Sequence, residues 1–575
     1  MPMEAINHAA IFTSSLPQKL LADRKTDRAS GIWEHIKQAV SQAAHRNKIG
    51  PETPAVRGSV AAAETLTSLA LTEIPAKKWT IFIGPSGPKI RPGPDLNGNL
   101  TVSGTPTLAS ELLPDIDIWF DPGGVTPISS LFRQWFGQSA YPIVAMQHTM
   151  SLHSLLSDYF LPIISSATYP WDSLVCSTQC SAKAVSKLIE NTRETCRRWA
   201  QNPSGFAGRI DVIPLPIDTD YFSPGDKDAS RSLLGLDRKA FIILYMGSLA
   251  ATKADLAPFL IAFKHLFAES RTSKPMWVIA GPSDPRYLAH LKQEIRQMEL
   301  VESIVFRDYV TVSEKLHLYR AADVFFSPSD TIQESFGLAP VEAMSCGLPQ
   351  VVSDWNGYRE TVIDGTTGFR IRTLWSACDS ELRTSGFCLG SDHDHIALGQ
   401  SVAIDLGQWA RAMRELLGSS DLRNEMSFSS RRSAVTRFSG RVIADRHCSL
   451  WSELISMYKS AQPAVVPDRR TLHTAHYSEC FSHYASKLLD GSDRVRANPN
   501  VGWPDRYLQD ASAFVNQHSD LIDLEICKQI FNKSAGFGCE IADLYPSHPT
   551  FFEQSRYLRH VLWLIKQGLL EVLPE

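Results

Sequence analysis

The chain has 575 residues, too many for one hydrophobic core, so two or three domains are expected. Apolar residues make up 43% and charged residues 21%, an ordinary globular composition, and a net charge of −4 gives no general pull toward nucleic acid or anionic lipid. The opening MPMEAINHAAIFTSS lacks a basic stretch followed by a long apolar run, and no segment approaches the ~18 apolar residues of a membrane span. Ten cysteines fall without a CxxC pair, and Cys176 and Cys180 read as thiols rather than metal ligands. The expectation is a reduced, cytoplasmic chain without a signal peptide.

The first region, 1–230, alternates strand and helix patterns. Ala9 to Thr13 is a weak strand, and Ile32, Trp33, Ile36, Val40 and Ala43 recur at helical spacing over 31–45. Strand patterns follow at 79–83, 116–120, 143–146 and 173–177, each ending in turn or polar residues. The stretches 46–75 and 85–108 carry no clear pattern. His148 stands just past the strand at 143–146, followed by Thr149, and His153 reads as helix surface or cleft. The prolines and turn residues from Val212 to Pro224 read as an interdomain link.

In the second region, 231–460, an apolar strand at 241–246 ends at Gly247-Ser248, Lys253 follows, and a helix begins near 255. Strands are expected at 276–280, 303–306, 323–326 and 350–353, and helices at about 404–417 and 440–460. Asp392-His393-Asp394-His395 lies in an insertion rich in Ser, Gly and Asp and reads as a solvated loop, not a metal site. The third region, 465–575, reads as helical, with apolar faces at Ile522, Leu524, Ile526, Ile530 and Phe531 and at Tyr557, Leu558, Val561, Leu562, Leu564, Ile565 and Leu569. It carries no basic cluster suited to nucleic acid.

The most informative stretch is 321–370. A strand at 323–326 leads into a polar loop with Glu334-Ser335-Phe336-Gly337, then into a helix that Pro340 opens at its first position and Gly347 caps, then into the strand at 350–353. This is the strand–loop–helix–strand unit of a parallel sheet. Gly337 lets backbone approach a ligand, and the amides of Phe336 to Val341 at a helix N-terminus form a ready phosphate site. Glu334 and Glu342, with seven residues between them, suggest that the ligand also carries hydroxyls.

With the surrounding EAMSCGLPQVVSD and IDGTTGFRI, this pair resembles the retaining family 4 glycosyltransferases of GT-B fold, group 1 type. Family-like residues cover roughly 140–460. The resemblance implies an α/β GT-B architecture: two Rossmann-like, doubly wound domains facing across a cleft. Residues 1–230 would form the acceptor side and 231–460 the donor side, with 465–575 a mostly helical extension of unknown role. It implies that Glu334 contacts the transferred sugar and Glu342 the nucleotide ribose. The diphosphate would be held by Gly247, Ser248, Lys253 and the amides of Phe336, Gly337, Leu338 and Ala339. His148 would position the reacting end. No metal cofactor is implied; the partners are a nucleotide-sugar donor and a glycan, lipid-linked or small-molecule acceptor, with no nucleic acid.

Two departures stand out. Ser248 occupies the place where the family carries an arginine, with Arg307 or Arg359 as substitutes, and the glycine-rich loop after strand one has only Ser30-Gly31 as a candidate. These favour an alternative, a catalytically silent nucleotide-sugar-binding protein on the same fold. A dehydrogenase fits poorly, because no strand ends in GxGxxG. Residues 182–199 read as an amphipathic helix whose Lys183, Lys187, Arg197 and Arg198 could give weak peripheral contact with anionic membrane at its inner face, against an ordinary helix packed on the sheet.

Overall fold

The computed structural model describes residues 6–13, 58–83, 100–103, 116–123, 129–130, 133–134, 140–148, 151, 168–198, 205–269, 274–376, 391–461, 487–515, 522–549 and 551–574. Met1–His473 form one compact unit and Thr474–Glu575 another. The helix expected at 31–45, Ser30-Gly31, Thr149 and His153 lie outside the described residues.

The larger unit contains two parallel sheets. The first is built from β1 (Ile6–Thr13), β2 (Ala76–Ile83), β3 (Leu100–Ser103), β4 (Ile118–Asp121), β5 (Ile143–Gln147), β6 (Ser173–Cys176) and β7 (Arg209–Val212), in the order β3-β2-β1-β4-β5-β6-β7. The second uses β8 (Phe241–Met246), β9 (Pro275–Ala280), β10 (Ile304–Arg307), β11 (Val324–Ser327), β12 (Gln350–Ser353) and β13 (Gly368–Ile371), in the order β10-β9-β8-β11-β12-β13. Strands β4, β5, β6, β8, β11 and β12 are buried at every position. Burial on both faces explains their continuous apolar runs. Both sheets are doubly wound, and strand order reverses between β1 and β4 and again between β8 and β11.

Within these two sheets three strands were not anticipated, and neither were the short strands that follow them in the chain. β3 has four residues in a turn-rich stretch, β7 alternates charged Arg209 and Asp211 at half-buried positions, and β13 lies at the edge of its sheet. The helices Gly58–Glu73 and Ser420–Phe438 were also missed, because neither carries a clean apolar stripe.

The chain crosses between the halves twice. After β7 it runs into the second half, and the helix Gly440–Ala461 brings it back onto the first. Fully buried Trp451 on that helix lies 5.1 Å from the Phe120 ring, and Tyr458 lies 5.9 Å from Trp171. The two crossing segments touch, with the Ile217 amide donating to the Phe438 carbonyl at 2.8 Å.

The helix Gln179–Arg197 buries Ser181, Ala182, Val185 and Ile189, the last three in a cluster with Leu174 and Cys176 of β6. Its apolar face is therefore used by the sheet, while Lys183, Lys187, Arg197 and Arg198 stay exposed. Thr178 caps its N-terminus by accepting from the Ser181 amide. The amides of Gln179 and Cys180 donate to the two carboxylate oxygens of Glu360, each at 2.8 Å. Glu360 belongs to the second half, so a carboxylate there occupies the positive end of a helix in the first. Among the described residues no helix is long and apolar enough to cross a membrane.

The smaller unit is mostly helical, with Asp505–Val515, Leu524–Lys533 and Phe551–Lys566 beside a three-stranded antiparallel sheet of β16 (Arg494–Ala497), β17 (Cys539–Glu540) and β18 (Leu570–Val572); β14 (Thr373–Leu374) and β15 (Ala403–Ile404) pair in the larger unit. Ile522, Ile530, Val561, Leu564 and Leu569 form its core as expected, but Leu562 is 50% exposed. One position past Val561, it is turned about 100° around the helix and off the buried stripe.

Removing the carboxylate with Glu360→Ala leaves two helix-end amides without their partner. The larger unit should lose about 1–2 kcal/mol of stability in denaturant unfolding, and Glu360→Gln should lose less.

Candidate functional site

In an open parallel sheet, ligands bind outside the carboxyl ends of the strands where the order reverses. In the second sheet that place lies between β8 and β11. Gly247 follows β8, and its carbonyl lies so close to Gly281 (φ 129°) that a Cβ on Gly281 would fall 2.1 Å from the Gly247 oxygen. Only glycine lets these two strand ends approach so closely. Ser248 is exposed, and its carbonyl accepts from the Tyr245 hydroxyl at 3.1 Å. Lys253 is exposed as well, and its Nζ donates to Gln333 Oε1 at 2.6 Å. Lys253 follows β8 and Gln333 follows β11, so the two strand ends are tied across the reversal.

Beyond Gln333, Glu334 is half-buried, with Oε1 accepting from the Phe336 amide at 3.3 Å and Oε2 lying 3.5 Å from the Tyr358 hydroxyl. The Asn356 side chain donates to the Glu334 carbonyl. Gly337 has φ 89°, and a Cβ there would meet Tyr358 Cε1 at 2.3 Å. The helix Leu338–Ser345 begins directly after it, without a side-chain cap. This corrects the expected start at Pro340. The proline is the third helical residue, still within the first turn, where no amide has an intrahelical acceptor and none is lost. The amides of Leu338 and Ala339 therefore remain available to an external acceptor. At the other end Gly347 (φ 81°) closes the helix as expected, with its amide and that of Leu348 donating to Met344 and Ala343.

Glu342 is only 8% exposed and already has partners, the Tyr319 hydroxyl at 2.8 Å and Lys315 Nζ at 2.5 Å. The two glutamates thus differ physically: Glu334 sits in the loop, whereas Glu342 is embedded in an ion pair.

His148 stands at the end of β5 in the first half. Its Nε2 lies 2.7 Å from the Pro122 carbonyl, which places the ring proton on Nε2, and burial lowers its pKa, so the ring is neutral near pH 7. The His148 carbonyl accepts from Ser335 Oγ at 3.2 Å. The Ser335 carbonyl in turn accepts from Thr178 Oγ1 at 3.0 Å and from Ser177 and Ser181 Oγ at 3.4 Å each. The structure therefore brings His148 beside the loop that carries Glu334, and places Lys253 on the far side of Gln333.

Two carboxyl groups escaped the sequence reading. Asp121, at the end of β4, accepts from Trp119 Nε1 at 2.7 Å, and burial pushes its pKa up to about 7. Asp330, at the start of the loop, is likewise pushed up to about 7 by burial. It lines a pocket of about 240 Å³ with Asp255, Phe259, Gly399, Gln400 and Val402. Strand-end position was the available signal for both. Arg307 Nη2 donates to the Leu234 carbonyl at 2.6 Å, and Arg359 lies 3.6 Å from Asp354, so both candidate substitutes for a cation at Ser248 hold other partners.

The insertion is a further correction. Residues Ser391–Gln400 form a helix, not a solvated loop, with His395 1% exposed. His395 is held from both sides, by Gln333 and by the Ser151 carbonyl. Among the described residues no group of three or more His, Cys, Asp or Glu could hold a metal ion. Cys176 is a buried thiol whose pKa is pushed up to about 12 by burial, and Cys180 is half-buried.

Residues 226–375 match the family described as glycosyl transferases group 1. Over 190 residues the chain is 32% identical to D-inositol 3-phosphate glycosyltransferase 2 of Catenulispora acidiphila, covering 32% of this chain and 44% of that protein. Over 188 residues it is 33% identical to D-inositol 3-phosphate glycosyltransferase of Mycolicibacterium gilvum, covering 32% and 40%. The match thus spans less than half the length of these relatives. Among solved structures, Anabaena Alr3699/HepE in complex with UDP and glucose aligns over 78% of this chain and 100% of its own, at 14% identity and a TM-score of 0.47. Sucrose-phosphate synthase from Thermosynechococcus elongatus aligns over the same shares, at 16% identity and a TM-score of 0.44.

The geometry separates the two glutamates experimentally. Glu342→Ala strands Lys315 and the Tyr319 hydroxyl in a mostly buried site and should cost about 3 kcal/mol of stability, whereas Glu334→Gln should leave the unfolding midpoint nearly unchanged. Asp121 predicts a pH dependence. The folded state holds a proton that the unfolded chain releases above about pH 4, so stability falls between about pH 4 and pH 7 and stays lower above. Asp121→Asn keeps the Trp119 bond and removes the titration. It should therefore be more stable than the wild type at pH 8 by about 1 kcal/mol or more, an advantage that shrinks at pH 5.

Proposed function

Because residues 226–375 belong to the group 1 glycosyl transferases, we propose that this chain transfers a sugar from a nucleotide-sugar donor to an acceptor hydroxyl with retention of configuration. One observation carries the reading: the two strand ends at the sheet reversal present an ammonium, Lys253, and the uncapped N-terminus of the helix Leu338–Ser345, with Glu334 between them. An ammonium and unpartnered amides fit a diphosphate, and a carboxylate fits sugar hydroxyls.

In this reading the diphosphate lies against Lys253, Gly247, Ser248 and the amides of Gly337, Leu338 and Ala339, together with that of Phe336 once it leaves Glu334 Oε1. The bond between the anomeric carbon and the phosphate oxygen breaks. The acceptor oxygen bonds to that carbon from the same face, and its proton passes to the departing phosphate. Charge developing on the leaving group meets preorganised donors, so the reading assigns that task to protein groups rather than to a metal. Glu334 orients the sugar. Neutral His148 positions the reacting end from the facing half. Glu342 serves the ribose while sharing its carboxylate with Lys315 and Tyr319. The acceptor, a glycan, lipid-linked or small-molecule hydroxyl, lies against the first sheet.

A silent binding protein is the competing reading, favoured by Ser248 in place of a cation. Tight nucleotide binding without turnover, across a panel of sugar nucleotides and acceptors, would establish it. For the transferase, the anomeric configuration of the product by NMR is decisive, and an inverted product overturns retention. Glu334→Gln should lower turnover about a hundredfold with little change in nucleotide affinity. Loss of nucleotide binding with turnover preserved would remove Glu334 from the sugar.

A further inference from the structure

Lys253 does not stand alone at the strand end. Its Nζ donates to Gln333 Oε1 at 2.6 Å, and Gln333 Nε2 lies 2.7 Å from His395 Nδ1. His395 Nε2 lies 3.1 Å from the Ser151 carbonyl. One assignment of protons satisfies all three contacts. The ammonium donates to the amide oxygen, the amide N–H donates to Nδ1, and the proton on Nε2 goes to the carbonyl. In that assignment His395 carries its proton on Nε2 and accepts at Nδ1. Reversing the amide would set an N–H against the ammonium and the amide oxygen against the acceptor Nδ1, so lysine and ring together fix which end of Gln333 meets Lys253.

The chain of bonds joins four segments of the molecule. Lys253 follows β8, Gln333 is in the loop after β11, and His395 is on the insertion helix Ser391–Gln400. Ser151 belongs to the first half. A second tie supports the same helix, with Gln400 Nε2 donating at 2.9 Å to Asp255 Oδ2, two residues past Lys253. A neutral amide has a particular advantage as partner: its hydrogen bond does not itself cancel the charge of the ammonium.

We propose that Gln333 and His395 are positioning residues that hold the Lys253 ammonium in place for a diphosphate, the insertion helix supplying His395 and bridging to the first half. The proposal rests on the donor-site reading of Lys253 given above. Neither residue touches the diphosphate; each acts through the lysine.

The test is calorimetric titration of inorganic pyrophosphate into the full chain, with the unfolding midpoint of each variant measured alongside. Lys253→Ala should weaken pyrophosphate binding at least tenfold. Gln333→Leu should weaken it about tenfold, since the lysine loses its bond to the amide. Gln333→Glu keeps the shape but neutralises the ammonium, and should weaken binding more than Gln333→Leu at an unchanged midpoint. A purely structural role for the side chain would rank these two the other way. His395→Leu should weaken binding several-fold, and His395→Asn, whose amide oxygen can replace Nδ1 as acceptor, should recover most of the loss. If Lys253→Ala weakens binding while the Gln333 and His395 variants stay within twofold of wild type, or if Gln333→Leu tightens binding, the positioning role is overturned and the donor site stands. If Lys253→Ala binds as the wild type does, the donor-site reading itself fails.

Discussion

The contact between Gly337 and Tyr358 constrains everything around the site. The loop after β11 turns from the carboxyl end of a central strand into a helix, and its last residue, Gly337, does so against the Tyr358 ring with φ at 89°. No side chain fits between, so backbone packs directly on an aromatic surface. That packing leaves Glu334 on one side of the turn and the bare amides of the next helix on the other. The Ser335 carbonyl, midway, gathers three hydroxyls from the opposite half. A loop held at so many points is preorganised, and preorganised donors lose little when charge develops nearby.

How much of this could be read from residues alone depends on where local chemistry decides the outcome. Buried central strands such as Phe241–Met246 and Gln350–Ser353 were legible to the residue, because burial on both faces demands an unbroken apolar run. The edge strands β7 and β13 were not, since their half-buried positions carry a mixed composition. The glutamate pair and Lys253 were legible as motifs. Their partners were not. That Glu342 is tied to Lys315, or that His395 reaches Gln333, depends on pairings between distant segments that no periodicity records. The insertion illustrates the limit most directly. A run of Asp and His among Ser and Gly has the composition of a solvated loop, yet tertiary contacts make it a helix with a buried imidazole.

Ser248 also reads differently in its setting. A missing arginine looks like a weakened diphosphate site when positions are considered one at a time. In three dimensions the Lys253 ammonium bonds to the Gln333 amide, whose other end meets the His395 imidazole. A cation fixed in place loses less entropy when it meets an anion than a freely moving one.

The double passage of the chain between the halves has a mechanical meaning. A single tether would let one half swing in any direction relative to the other. Two tethers that run side by side, bonded at Ile217 and Phe438, leave rotation about their common line as the easy motion. Displacement then grows with distance from that line. Groups beside it, such as Tyr221 and Phe222, move little, while the Glu360 clasp on the helix at Gln179 and the His395 bridge to Ser151 act as latches that must part before the halves can open. Any separation of the halves on that side must therefore first break both contacts.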